Sequence, residues 1–98
     1  MLSVTEPPSE NGFHGLFDSA VEYFEAGDFS AARDVLEQLI TKVPDDPQIL
    51  NYLAVTTHQT GNSSQARELF ERAVQVEPNF VEAWRNLGNL THEMGEFD

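Results

Sequence analysis

The stretch "GDFSAARDVLEQLITKVPDDP", Gly27 to Pro47, is answered 34 residues later by "GNSSQARELFERAVQVEPNF", Gly61 to Phe80. Gly27, Gly61 and Gly95 keep that interval, as do Leu16, Leu50 and Trp84, and also Ala20, Ala54 and Gly88. Ser30, Ala32, Arg33, Glu37 and Pro44 return as Ser64, Ala66, Arg67, Glu71 and Pro78. A fixed interval of this kind marks a stacked helical repeat, because one unit cannot bury its apolar side alone and the next unit covers it.

Within each unit the apolar residues fall at steps of three and four, the spacing of one helix face. Phe13, Leu16, Phe17, Ala20, Val21, Tyr23 and Phe24 predict a first helix from Phe13 to Ala26, ended by Gly27. A second helix starts near Asp28 to Ser30, carries Val35, Leu36, Leu39, Ile40 and Val43, and stops at Pro44. Asp46 before Pro47 reads as an N-cap followed by proline at the first helical position, opening a third helix with Ile49, Leu50, Leu53 and Ala54. Ser63 or Ser64 is the expected cap of a fourth helix bearing Ala66, Leu69, Phe70, Ala73, Val74 and Val76, and Pro78 closes it. Asn79 is the expected cap of a fifth, with Phe80, Val81, Trp84, Leu87 and Leu90, ending at Gly95. No stretch reads as a strand, so the fold class is all-α. Residues 1–12, with two prolines, a glycine and two serines, read as a flexible tail.

The chain of 98 residues amounts to one small domain at most. Seventeen acids stand against five bases, a formal charge of −12. Nucleic acid is therefore not an expected partner, since phosphate binding needs a basic footprint, and an anionic membrane surface is disfavoured on the same ground. The acids are either a solvated face or an attraction for a basic partner. There is no cysteine, which rules out disulfides and thiolate metal sites. No secretory leader and no apolar run of transmembrane length is present, and the expected setting is cytoplasmic.

With these residues in view, the chain resembles the tetratricopeptide repeat family, whose pattern has this same period. Trp84-x-x-Leu87-Gly88 matches the first half of that pattern, and Ala66-x-x-x-Phe70 followed by Pro78 matches the second. Departures are Thr57 and Thr91 at a tyrosine position, Ser19 at a leucine position and Ser63 at an aromatic position. The resemblance implies an α-solenoid, a right-handed superhelical stack of helix-turn-helix hairpins. Its units would be 13–46, 47–80 and 81–98, the last holding only a first helix. Small residues at Ala20, Ala54, Gly88, Ala32 and Ala66 would let paired helices approach closely. Leu36, Phe70 and Trp84 would fill the space between hairpins. "GEFD", Gly95 to Asp98, matches the turn into a second helix that does not follow, leaving Trp84 and Leu87 short of cover. The expectation is an N-terminal portion of a longer array, or a piece that self-associates through its last helix.

No enzyme motif occurs, and no catalytic residue, cofactor or metal site is expected. The family builds a concave groove from the first helix of each hairpin. Carried over, the lining is His14, Phe17, Asp18, Val21, Phe24 and Glu25; then Gln48, Asn51, Tyr52, Val55, His58 and Gln59; then Glu82, Arg85, Asn86, Asn89, His92 and Glu93. Of these, Phe17, Asn51, Tyr52, Val55, His58, Arg85, Asn86, Asn89 and His92 are the expected partner-binding residues. Amide and guanidinium groups hydrogen-bond an extended backbone, and aromatics anchor it, although such residues also occur on ordinary solvated helices. His58 and His92, one period apart, are expected to stack, too far apart to share a metal ion. The lysine- and arginine-rich clamp with which some family members hold acidic chaperone tails maps onto Phe17, Val21, Tyr52, Glu82 and Asn86, and only Asn86 fits. The expected function is a non-enzymatic module binding a peptide or protein. The alternatives are the substrate-presenting domain of a glycosyl-, sulfo- or methyltransferase and a self-associating assembly element.

Overall fold

A computed structural model describes residues 8–95 of the chain, with side chains from Gly15 onward. Of the expected tail at residues 1–12, residues 1–7 lie outside the described residues and residues 8–12 are helical; the side chains of Phe13 and His14, and Phe97, also lie outside the described residues. Five helices follow one another, α1 (Pro8–Glu25), α2 (Phe29–Lys42), α3 (Pro47–Gln59), α4 (Ser63–Val76) and α5 (Val81–Glu93), with no strand among the described residues. α1 starts five residues ahead of the expected Phe13, at Pro8. Proline at a first helical position gives up no hydrogen bond and has the right φ already, so Pro8 opens the helix instead of delaying it.

The turns explain why glycine returns at a fixed interval. Gly27, Gly61 and Gly95 have φ of 84°, 100° and 79°, the left-handed region where a side chain is strained. After α1, Gly27 N donates to Phe24 O and Asp28 N to Tyr23 O; after α3, Gly61 N donates to His58 O and Asn62 N to Thr57 O. That paired closure is a Schellman turn, and it sets the direction in which the next helix leaves.

The caps correct two expectations. Asn62 caps α4, its Oδ1 accepting from Gln65 N at 3.2 Å, as Asp28 caps α2 by accepting from Ala31 N at 3.2 Å. Ser63 is already the first helical residue. Asp46 caps α3 as read from the sequence, accepting from Gln48 N at 2.9 Å and Ile49 N at 3.1 Å. Phe80, not Asn79, is the N-cap of α5, and no side chain bonds that end. The turn Glu77–Phe80, closed by Phe80 N on Glu77 O at 3.0 Å, places Asn79 too early.

The helices pack in chain order, α1 on α2, α2 on α3, α3 on α4 and α4 on α5. The result is an α-solenoid with extents of 59 × 26 × 19 Å and a radius of gyration of 14.7 Å, against about 13 Å for a compact chain of this length. Ala20, Ala32, Leu36, Leu39, Leu50, Leu53, Ala54, Ala66, Phe70 and Ala73 are buried between the helices. Alanine at 20, 32, 54 and 66 permits close approach, as expected, and Ala73, read only as part of the α4 stripe, is buried with them. Gly88 departs from it: the position is exposed, and a Cβ built there would meet nothing within 4 Å. Trp84, the counterpart of the buried Leu50, is 48% exposed. Among the described residues no helix follows α5 to cover that side.

Candidate functional site

α1, α3 and α5 lie in one layer and α2 and α4 in the other, so successive first helices present a common face. α3 is the centre of it. Its apolar residues Leu50, Leu53 and Ala54 face inward, which turns Gln48, Asn51, Tyr52, Val55 and His58 toward the shared face. Two cavities lie along this face and meet at Val55 and Asn86.

The larger has a volume of about 260 Å³ and is lined by Phe24, Gln48, Asn51, Tyr52, Val55, Phe80, Glu82 and Asn86. Its aromatic wall is held edge to face. The Tyr52 ring lies 5.2 Å from that of Phe24 and 5.7 Å from that of Phe17, and Phe24 lies 5.5 Å from Phe29. Such pairing fixes ring orientation and gains about 0.5–1.5 kcal/mol per pair beyond burial. Asn86 Nδ2 donates to Asn51 Oδ1 at 3.1 Å, tying α5 to α3. Whichever way the two amides are turned, the pair keeps one unused N–H₂ side and one unused C=O side. Those are the complements of a peptide group.

The smaller cavity, about 180 Å³, is lined by Val55, His58, Gln59, Phe70, Asn86, Asn89, Leu90 and Glu93. His58, expected to stack on His92, is engaged here by two other groups. His58 Nε2 meets Glu93 Oε1 at 3.0 Å, and its Nδ1 lies 3.2 Å from Ser63 Oγ. The tautomer with the proton on Nε2 satisfies both contacts, donating to the carboxylate and accepting from the hydroxyl. Asn51 to Asn86 and His58 to Glu93 both span 35 residues, one period plus one. Neighbouring first helices therefore meet one position beyond the repeat equivalent. Among the described residues no group of three or more His, Asp or Glu is placed to hold a metal ion.

Of the expected binding residues, Asn51, Tyr52, Val55, His58, Asn86 and Asn89 line these cavities, and Phe17 supports Tyr52 from behind. Arg85 and His92 are exposed and line neither. Phe80 was read only as part of an apolar stripe, yet it forms a wall of the larger cavity. The signal was present: it stands 34 residues after Asp46, at a capping position whose residue points away from the helix it begins.

A family model described as Tetratricopeptide repeat matches residues 23–90. No curated protein sequence matches the chain significantly. Among solved structures, MamA resembles it with a TM-score of 0.82 at 18% identity, over 90% of this chain and 52% of that one. MamA from Desulfovibrio magneticus RS-1 gives 0.83 at 17% identity, over 90% of this chain and 50% of that one. A Thermobaculum terrenum O-GlcNAc transferase mutant gives 0.85 at 25% identity, over 94% of this chain and 18% of that one. The chain thus spans about half the length of the MamA structures and under a fifth of the transferase.

Proposed function

This chain belongs to the tetratricopeptide repeat family, and from that premise we propose that it is a non-enzymatic interaction module holding an extended peptide along the α1–α3–α5 face. The observation that carries the reading is the Asn51–Asn86 pair, set between two joined cavities with one amide donor side and one acceptor side unused. An extended backbone has unpaired N–H and C=O groups that such a pair can satisfy, while Tyr52, Phe24 and Phe80 receive a side chain. Repeats of this kind ordinarily serve protein interaction, which supports the reading further.

The test is selection of binders from a displayed library of random peptides, followed by measurement of the winners against Tyr52→Ala/Asn86→Ala. Loss of at least about tenfold in affinity with helicity unchanged is the expected result. Retained affinity in the double variant would move the site elsewhere.

A second reading is that the module presents substrate to a transferase. What favours it is the likeness to part of an O-GlcNAc transferase at 25% identity over 94% of this chain. Under it, the selected peptides would be acceptors for a transferase joined to the module. Self-association through α5 is a third arrangement, favoured by exposed Trp84 and Val81. A species that stays monomeric at millimolar concentration would remove it.

A further inference from the structure

The two layers of the solenoid differ in charge as well as in shape. Arg33, Lys42, Arg67 and Arg72 all lie on α2 and α4. α1, α3 and α5 hold Glu10, Asp18, Glu22, Glu25, Glu82 and Glu93 against a single cationic residue, Arg85, which lines neither cavity. Within this acidic layer the larger cavity has an aromatic wall of Phe24, Tyr52 and Phe80 and one carboxylate, Glu82. Among the described residues no hydrogen bond or ion pair engages Glu82. The cavity also has neutral acceptors in the side-chain oxygens of Gln48 and Asn86.

We propose that this cavity receives the arginine side chain of a basic peptide. The proposal rests on the groove reading above and names what enters it. Three features converge. A volume of about 260 Å³ is below the range of about 300–1,000 Å³ usual for drug-sized ligands, and suits one side chain. Aromatic walls attract a cation through their ring faces, and a guanidinium, weakly hydrated and planar, stacks on rings better than an ammonium does. Glu82 supplies the charge, Gln48 and Asn86 the remaining acceptors for a group that carries five N–H donors. An acidic or purely aliphatic side chain would leave Glu82 repelled or buried without a partner. The formal charge of −12 draws a basic segment toward the face before contact.

The experiment is a titration of the isotope-labelled chain, followed by amide chemical shifts, with three blocked pentapeptides: Gly-Ser-X-Ser-Gly in which X is arginine, norleucine or glutamate. The expected result is saturable shifts at Gln48–Tyr52 and Phe80–Asn86 with the arginine peptide, weakened about three- to fivefold by Glu82→Gln and by 0.5 M salt. Tyr52→Ala weakens them at least about tenfold, and Lys42→Ala, on α2 and outside the cavity, does not weaken them. Equal binding of the norleucine peptide at the same residues would overturn the arginine assignment and leave the groove reading standing. Preference for the glutamate peptide would overturn it likewise. Absence of shifts at these residues with all three would count against both.

Discussion

α3 and α5 hold the same place in successive units, 34 residues apart, and are both 13 residues long, yet they live in different surroundings. α3 is packed by α2 on one side and α4 on the other. Leu50 and Ala54 are 0% exposed, and its N-terminus is capped by two hydrogen bonds that the Asp46 carboxylate accepts. α5 is packed by α4 and meets α3 through Asn51–Asn86 and His58–Glu93, and among the described residues no helix follows to cover its other side. Its equivalents are Trp84, 48% exposed, Gly88, exposed, and Phe80, which caps nothing. Trp84 finds some fixation in a hydrogen bond from its ring N–H to Pro78 O at 2.8 Å. A repeat position thus prescribes which way a side chain points, and the neighbouring unit decides whether it is buried.

The comparison can be broken most sharply at the paired positions 50 and 84. Leu50→Ala opens a void in a sealed core and is expected to cost about 2–5 kcal/mol. Trp84→Ala removes a larger side chain that is half in water already, and is expected to cost about 1–2 kcal/mol. Denaturant unfolding of both variants decides; a larger loss at 84 than at 50 would mean that α5 is as well covered as α3. Next in size is the cap. Asp46→Ala is expected to lose about 1 kcal/mol, whereas Phe80→Ala loses no cap, having none to lose. The smallest effect has the opposite sign. Gly88→Ala should stabilise by up to about 1 kcal/mol, because the added methyl meets no neighbour and removes backbone freedom from the unfolded chain. A lowered thermal midpoint for that variant would restore the close approach first expected at this position.

The all-α class, the order of the helices and the three glycine turns were legible because each follows from local chemistry: a 3.6-residue stripe, a left-handed glycine, a proline stop. The two misplaced caps show where local reading fails. Asn62, Ser63 and Ser64 are all competent acceptors, and only the Schellman turn through Gly61 selects Asn62. The interval held the answer, since Asp28 plus one period is Asn62 and Asp46 plus one period is Phe80. The cavity-lining role of Asn51, Tyr52 and Asn86 was legible through the family pattern. The contacts Asn51–Asn86 and His58–Glu93 were not, because they depend on how neighbouring helices cross, which shifts partners by one residue from the repeat equivalence.

Central to this account is that a partner docks on the face built around the sheltered α3, and not on the open apolar edge of α5. Mapping the amide shifts caused by a library-selected peptide tests that directly. The account predicts the largest changes at Gln48–Gln59 of α3 and at Glu82, Asn86 and Asn89 of α5, with α2 and α4 quiet. Changes centred on Val81, Trp84 and Gly88 and absent from α3 would contradict it.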